Sequence, residues 1–295
     1  MKRLVLSLLA LIVTIGVAAQ DMSRATVILP VWDNQSAPHS NGLAEAGETR
    51  NGRPSLTTYT ELYVYAPDRE KANGRGVVIC PGGGYRHLSM ENEGAHMAEW
   101  FAEQGYVAAV LHYRMPNGHP EVPLEDAERA IRILRGEAEG LQGHHQVPTV
   151  GIIGSSAGGH LAAMTSTMGE ERPDFAVLFY PVITAEEGKA HRGSFVHLLG
   201  EKASKKQLNY YSLQNRVTEQ TPPTFLLLPD DDRTVPSVNS TLYYNALKEH
   251  GVKASLHIYP VGGHGFGMRE SFPYKESWQK LLLDWLDRIL QEEDK

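Results

Sequence analysis

The stretch Gly154-Ser155-Ser156-Ala157-Gly158-Gly159-His160 joins an apolar run, Val150-Gly151-Ile152-Ile153, to a helix-forming run, Leu161-Ala162-Ala163-Met164. The order is buried strand, tight glycine-rich corner, helix, and the spacing Gly154-x-Ser156-x-Gly158 is that of a nucleophile elbow. A serine at such a corner needs small neighbours on both sides so that the chain can pass close to itself. The corner lifts the hydroxyl clear of the sheet and sets it at a helix N-terminus, where free N–H groups favour developing negative charge. Two rival readings fail on residue type. A phosphate-binding loop needs Lys and then Ser or Thr where His160 and Leu161 stand, and no Gly-x-Gly-x-x-Gly dinucleotide fingerprint is present at this turn.

The rest of the chain repeats the alternation. Thr60–Tyr65 alternates apolar with polar, as a half-exposed edge strand does. Gly76–Cys80, Val107–Leu111, Phe175–Tyr180 and Phe225–Leu228 are continuous apolar runs, as strands buried on both faces are. Ala254–Tyr259 adds another strand. Helices are expected over Ala95–Gln104, Leu124–Glu137, Val238–His250 and Tyr274–Leu290, the second with Ala127, Ile131 and Leu134 on one stripe. Strands alternating with helices predict a mostly parallel, doubly wound sheet flanked by helices. Residues 184–220 read as a modest helical excursion. Residues 20–56, polar apart from Thr26–Trp32, read as an irregular arm anchored by Trp32, followed by one domain over 57–295.

The chain has 295 residues, 41% hydrophobic and 21% charged, enough for one large α/β core. A net charge of −7 argues against nucleic acid or an anionic membrane surface as partner. Lys2 and Arg3, the apolar run Leu4–Val17 and the small residues Val17-Ala18-Ala19 have the form of a secretory leader over 1–19. The run is too short for a stable spanning anchor. Export to the periplasm or the extracellular space is expected. Cys80 is the single cysteine, so no internal disulfide is available.

Four stretches directly follow strands: Pro81-Gly82-Gly83-Gly84-Tyr85, the Ser156 corner, Pro229–Pro236, and Gly262-Gly263-His264-Gly265-Phe266-Gly267. In such a sheet chemistry gathers at the carboxyl ends of the strands, so these four are expected on one rim. Serine needs an adjacent base to act as a nucleophile. Of thirteen histidines, His264 is the best placed, because its flanking glycines leave it free to reach across the rim. A carboxylate must orient that imidazole, and Asp230, Asp231 and Asp232 are the candidates. The glycine loop offers inward-turned N–H groups. With the N–H of Ala157 they would form an oxyanion hole from Gly83 or Gly84, each donor contributing about 3 kcal/mol.

These segments, together with Tyr113-Arg114-Met115-Pro116, resemble the α/β-hydrolase superfamily in its esterase/lipase branch, and within it secreted bacterial acetylxylan-esterase-like carbohydrate esterases. The resemblance covers nearly all of residues 57–295. It implies the α/β-hydrolase fold, with a small helical excursion after the sixth strand, and it selects Asp232, since the family aspartate precedes x-x-Val-Pro. It further implies a serine esterase acting on an acetylated carbohydrate, with Ser156, Asp232 and His264 catalytic, no cofactor and no metal. Feruloyl or other sugar esters, or a small peptidase activity, are the alternatives, and a non-catalytic binding protein is a third. Many relatives carry His where this chain has Pro81, which fixes its own φ and lacks an N–H.

Tyr85 and Arg233 flank the expected site and are candidate substrate contacts. Ser155 is expected to face away. His160 reads as a locally bonded packing residue, Cys80 as core filler, and His144-His145, Asp230 and Asp231 as solvated loop residues. Asp126 and Arg132 share a helix and read as structural. Trp278, Leu281, Leu282, Trp285, Leu286 and Ile289 have helical spacing and read as core.

Overall fold

A computed structural model describes residues 24–33, 36–137, 141 and 146–293. The leader read over 1–19 and the His144-His145 pair lie outside the described residues. Eight strands form one sheet: β1 (Val27–Pro30), β2 (Glu61–Tyr65), β3 (Arg75–Cys80), β4 (Val107–His112), β5 (Thr149–Ser155), β6 (Ala176–Phe179), β7 (Thr224–Pro229) and β8 (Ala254–Tyr259). Their order across the sheet is β1-β2-β4-β3-β5-β6-β7-β8. β1 pairs antiparallel with β2, and β2 antiparallel with β4, while every later pairing is parallel. The helices are α1 (His96–Glu103), α2 (Glu121–Arg135), α3 (Ala157–Met168), α4 (Arg192–Leu199), α5 (Lys205–Tyr210), α6 (Val238–Glu249) and α7 (Lys275–Glu293).

β4, β6 and β7 are buried at every position, as expected of strands covered on both faces. α1 and α7 meet through Trp100 and Trp278, whose ring centroids lie 5.4 Å apart. Trp278 also packs edge-on against Phe179 of the sheet at 5.1 Å. α2 and α3 pack on one another and on β5. In α7, Trp278, Leu282 and Leu286 are fully buried, whereas Leu281 is 38% exposed and leaves the core stripe. No helix among the described residues is long and apolar enough to cross a membrane.

Two expectations are corrected at the sheet edge. The apolar stretch at 26–32 is not irregular, because Val27–Pro30 pairs with Glu61–Val64 as the outermost strand. Its strand is only four residues long and ends at Pro30, so a local pattern carries little of it. The segment at 60–65 is consequently an interior strand with neighbours on both sides. The arm is fixed further along by Trp32, whose indole N–H donates to Asp126 Oδ1 at 2.7 Å. Asp126 is fully buried and takes the Arg114 guanidinium at 2.6 Å, and Glu125 takes the same guanidinium at 2.7 Å. A buried carboxylate is tolerable only with such partners, so the structure keeps Asp126 in a structural place.

Register delivers the site. Cys80 of β3 pairs with Gly154 of β5, and Ser155 of β5 pairs with Phe179 of β6. The loop after Cys80 and the residues after Phe179 therefore flank Ser156 on either side. Pro229 of β7 pairs with Tyr259 of β8, so the aspartate loop and the histidine loop leave the sheet side by side.

Candidate active site

Ser156 has φ 55° and ψ −119°, a sparsely populated conformation for a residue with a side chain. Such a residue costs on the order of 1–3 kcal/mol and persists only where the surroundings over-determine it. Here its N–H donates to the Phe179 carbonyl at 3.0 Å, and its carbonyl accepts from Val182 at 3.0 Å and His160 at 3.1 Å. The flanking glycines are required by close approach. A Cβ on Gly154 would stand 2.1 Å from the Gly158 carbonyl oxygen, and one on Gly158 would stand 2.0 Å from that of Cys80.

The Ser156 hydroxyl lies 2.8 Å from His264 Nε2, and His264 Nδ1 lies 2.7 Å from Asp232 Oδ2. The aspartate accepts the Nδ1 proton, which leaves Nε2 as the lone-pair nitrogen facing the hydroxyl. Asp232 has a fully buried side chain, and its Oδ1 accepts from Thr234 N–H at 2.8 Å and Val235 N–H at 2.9 Å. That turn is the physical content of the Asp-x-x-Val spacing: the backbone holds one oxygen and aims the other. Asp231 instead accepts from Gly263 N–H at 2.8 Å and ties the two loops together.

The glycine loop lies beside Ser156. Among the described residues, the N–H groups of Gly83, Gly84 and Ala157 donate to nothing in the chain. The Gly82 N–H is occupied by Glu93 Oε2 at 2.9 Å. Gly83 has φ 140° and would place a Cβ 1.9 Å from the His87 carbonyl oxygen, so only glycine fits there. These features allow a base-activated nucleophile to attack a carbonyl carbon whose oxygen the free donors receive.

Neither of the candidate contacts, Tyr85 and Arg233, is among the residues lining the cleft. Tyr85 is 1% exposed and does not line the cleft. Its φ of 58° turns the chain inward, and its hydroxyl lies 3.0 Å from His160 Nδ1. His160 Nε2 donates to the Tyr211 carbonyl at 2.9 Å, so Tyr85 is the donor to Nδ1. Burial lowers the His160 pKa to about 4, which keeps the ring neutral and structural. Arg233 is exposed and is not among the residues lining the cleft, where its neighbour Thr234 takes that place. Cys80 is fully buried, and burial pushes its thiol pKa far up.

The sequence reading missed a supporting set. A single π-helical turn, Glu91–Ala95, precedes α1 and carries Asn92 and Glu93; such turns gather at functional sites. Glu93 is 5% exposed, and its Oε1 accepts from the Tyr180 hydroxyl at 2.7 Å. The Tyr180 oxygen accepts from Gly267 N–H at 3.0 Å, and its ring packs edge-on to His264 at 5.0 Å. Asn92 donates to the carbonyls of Gly265 and Phe266 at 3.2 and 3.3 Å. One turn thus clamps the glycine loop to the histidine loop. Burial raises the Glu93 pKa, while hydrogen bonds from Tyr180 and Gly82 and the nearness of His264 oppose that rise. His197 Nδ1 lies 2.7 Å from the Gly84 carbonyl and fixes the glycine loop from the excursion side. A local signal existed only for the glycine and histidine loops; the partners of Glu93 and His197 are set by tertiary contact.

Comparison with known proteins agrees with this geometry. Residues 62–179 match the BD-FAE family, and residues 141–293 match the prolyl oligopeptidase family. The chain is 41% identical over 226 residues to an acetylxylan esterase of Xylanibacter ruminicola, covering 75% of this chain and 47% of that protein. It is 33% identical over 208 residues to endo-1,4-beta-xylanase B of Butyrivibrio fibrisolvens, covering 64% of this chain and 32% of that protein. The chain thus spans about half or less of the length of these curated relatives. Among solved structures, an acetyl ester-xyloside bifunctional hydrolase from Caldicellulosiruptor lactoaceticus superposes with a TM-score of 0.76 at 37% identity, covering 89% of this chain and 96% of that one. With the strand order, the corner serine and these relatives in agreement, the chain belongs to the α/β-hydrolase superfamily, in its esterase/lipase branch.

Proposed function

We propose that this protein is a serine carboxylesterase that removes acetyl groups from a plant polysaccharide, acetylated xylan being the substrate for which a 41% identical relative is named. The observation that carries the reading is the continuous hydrogen-bond line from Asp232 through His264 to Ser156, at 2.7 and 2.8 Å, beside unengaged backbone N–H groups. Ser156 Oγ attacks the ester carbonyl carbon while His264 Nε2 takes its proton. Negative charge collects on the carbonyl oxygen, which the Ala157 N–H and a glycine-loop N–H from Gly83 or Gly84 receive. His264 then gives that proton to the departing sugar oxygen, which leaves as a hydroxyl. A water, deprotonated by His264, attacks the acetyl-serine, and His264 returns the proton to Ser156 Oγ as the ester bond breaks and acetate leaves. Asp232 holds the ring and stabilises its charged form throughout. The leader-like N-terminus supports export, which fits a polymer that cannot enter a cell.

The test is acetate release from acetylated xylan by the wild type and by Ser156→Ala. Release by the wild type and its loss on removing the hydroxyl are expected; equal release by both ends the reading.

A further inference from the structure

The cleft above Ser156 has a volume of about 980 Å³, and its outer wall is built by the arm. That wall is a small hairpin. Asn51 and Gly52 have φ 49° and 68°, and Arg50 and Arg53 exchange backbone hydrogen bonds at 3.2 and 3.0 Å across them. Two consecutive positive φ values at Asn-Gly make the two-residue turn whose twist suits a hairpin. The turn holds Arg50 and Arg53 opposite one another. The hairpin is tied to the glycine loop: Leu56 N–H donates to the Arg86 carbonyl at 3.0 Å, and Leu88 N–H donates to the Pro54 carbonyl at 2.9 Å. Arg86 thereby joins the same rim, and Arg269, at the far end of the histidine loop, also lines the cleft.

These four arginines are exposed, in a chain whose net charge is −7. Arg50 pairs with Glu48 at 2.8 Å. Among the described residues, Arg53, Arg86 and Arg269 form no ion pair. The other carboxylate lining the cleft is Glu93, buried and already held by Tyr180 and Gly82. His87 has its pKa lowered by burial first and then by the charges of Arg53 and Arg86. A set of guanidinium forks left unpaired around the mouth of a cleft is suited to a carboxylate, which such forks take bidentately, and it attracts an anion from a distance.

Resting on the esterase reading, the geometry points to a substrate that carries a carboxylate near its ester: an acetylated polysaccharide bearing uronic acid residues, whose carboxylate docks on Arg53, Arg86 and Arg269 while the acetyl group enters at Ser156. The neutral acetylated chain is the poorer substrate.

Acetate release is measured on three oligosaccharides of equal length: an acetylated xylo-oligosaccharide bearing a glucuronate branch, the same chain without the branch, and an acetylated oligogalacturonide. At low salt the wild type is expected to favour a uronate-bearing substrate over the neutral one by roughly five- to tenfold in kcat/KM, the size of one or two exposed charge pairs. That preference shrinks as salt rises toward 1 M. Whichever uronate substrate is favoured tells whether the carboxylate comes from a branch or from the backbone. In Arg53→Gln/Arg86→Gln/Arg269→Gln the preference falls towards unity, with a melting temperature near that of the wild type showing that the variant folds. Equal kcat/KM on all three substrates, or a preference indifferent to salt, overturns the inference while leaving the esterase reading intact. Failure to release acetate from any of them overturns both.

Discussion

Glu93 is a buried carboxylate with no hydrogen bond to Ser156 or His264 among the described residues, yet it receives the Gly82 N–H from the glycine loop and, through Tyr180, holds Gly267 of the histidine loop. Its removal is expected to loosen both loops. Glu93→Ala should lower kcat by roughly 10- to 100-fold, the effect expected of misplacing reacting groups by about 1 Å, with KM changed much less. Glu93→Gln, which keeps one acceptor, should recover part of the loss, and steady-state kinetics on a 4-nitrophenyl acetate substrate decides this. His160 makes a second prediction, on stability. Its folded pKa of about 4 lies below the ordinary 6.5, so folding excludes a proton that the unfolded chain binds. The stabilisation is complete above pH 6.5 and drains away as pH falls through 4, by about 3 kcal/mol in all. Urea unfolding at pH 7 and pH 4.5 should show a loss that His160→Asn does not share. Part of this was open to reading in the residues. Ser156 and His264 stand out because few side chains are free at strand ends between small neighbours. Asp232 did not stand out from Asp230 and Asp231, since what distinguishes it is the pair of N–H groups from Thr234 and Val235. Glu93 lies in Glu-Asn-Glu before a helix, where any acidic turn looks solvated, and only the folded chain shows it buried.

β5 and α3 meet at a corner that tolerates no side chain at Gly154 or Gly158. Gly158→Ala would drive a methyl group against the Cys80 carbonyl oxygen at 2.0 Å. Overpacking of this kind costs about 1–3 kcal/mol, and because the displaced backbone carries Ser156, activity should fall together with the midpoint of thermal unfolding. A variant that loses activity at unchanged stability would show that the corner has room for a methyl group. The long apolar strands and amphipathic helices were legible for the same reason that they form: burial on both faces leaves continuous runs, and burial on one face leaves a stripe. β1 was not legible as a strand. Four residues ending in proline carry little local signal, and their pairing with β2 spans more than thirty residues of chain. The Asn51-Gly52 hairpin was readable in principle, since that dipeptide is a strong short-range turn signal. Its polar neighbours lack the alternating apolar runs that mark hairpin strands.

At the scale of the molecule, function rests on loops far apart in sequence leaving adjacent strands at the same end. The strand order places β5 beside β3 and β6, and β7 beside β8, so the serine, glycine, aspartate and histidine loops converge without a separate domain to carry them. The arm adds the outer wall and the cations there. The central claim is that Ser156, His264 and Asp232 act as one unit. The direct measurement is kcat for acetyl ester hydrolysis by Ser156→Ala, His264→Ala and the double variant. The account predicts that each single change lowers kcat by on the order of 10⁴- to 10⁶-fold and that the double variant is no worse than Ser156→Ala alone. Losses that multiply in the double variant, or a His264→Ala enzyme close to wild type, would contradict it.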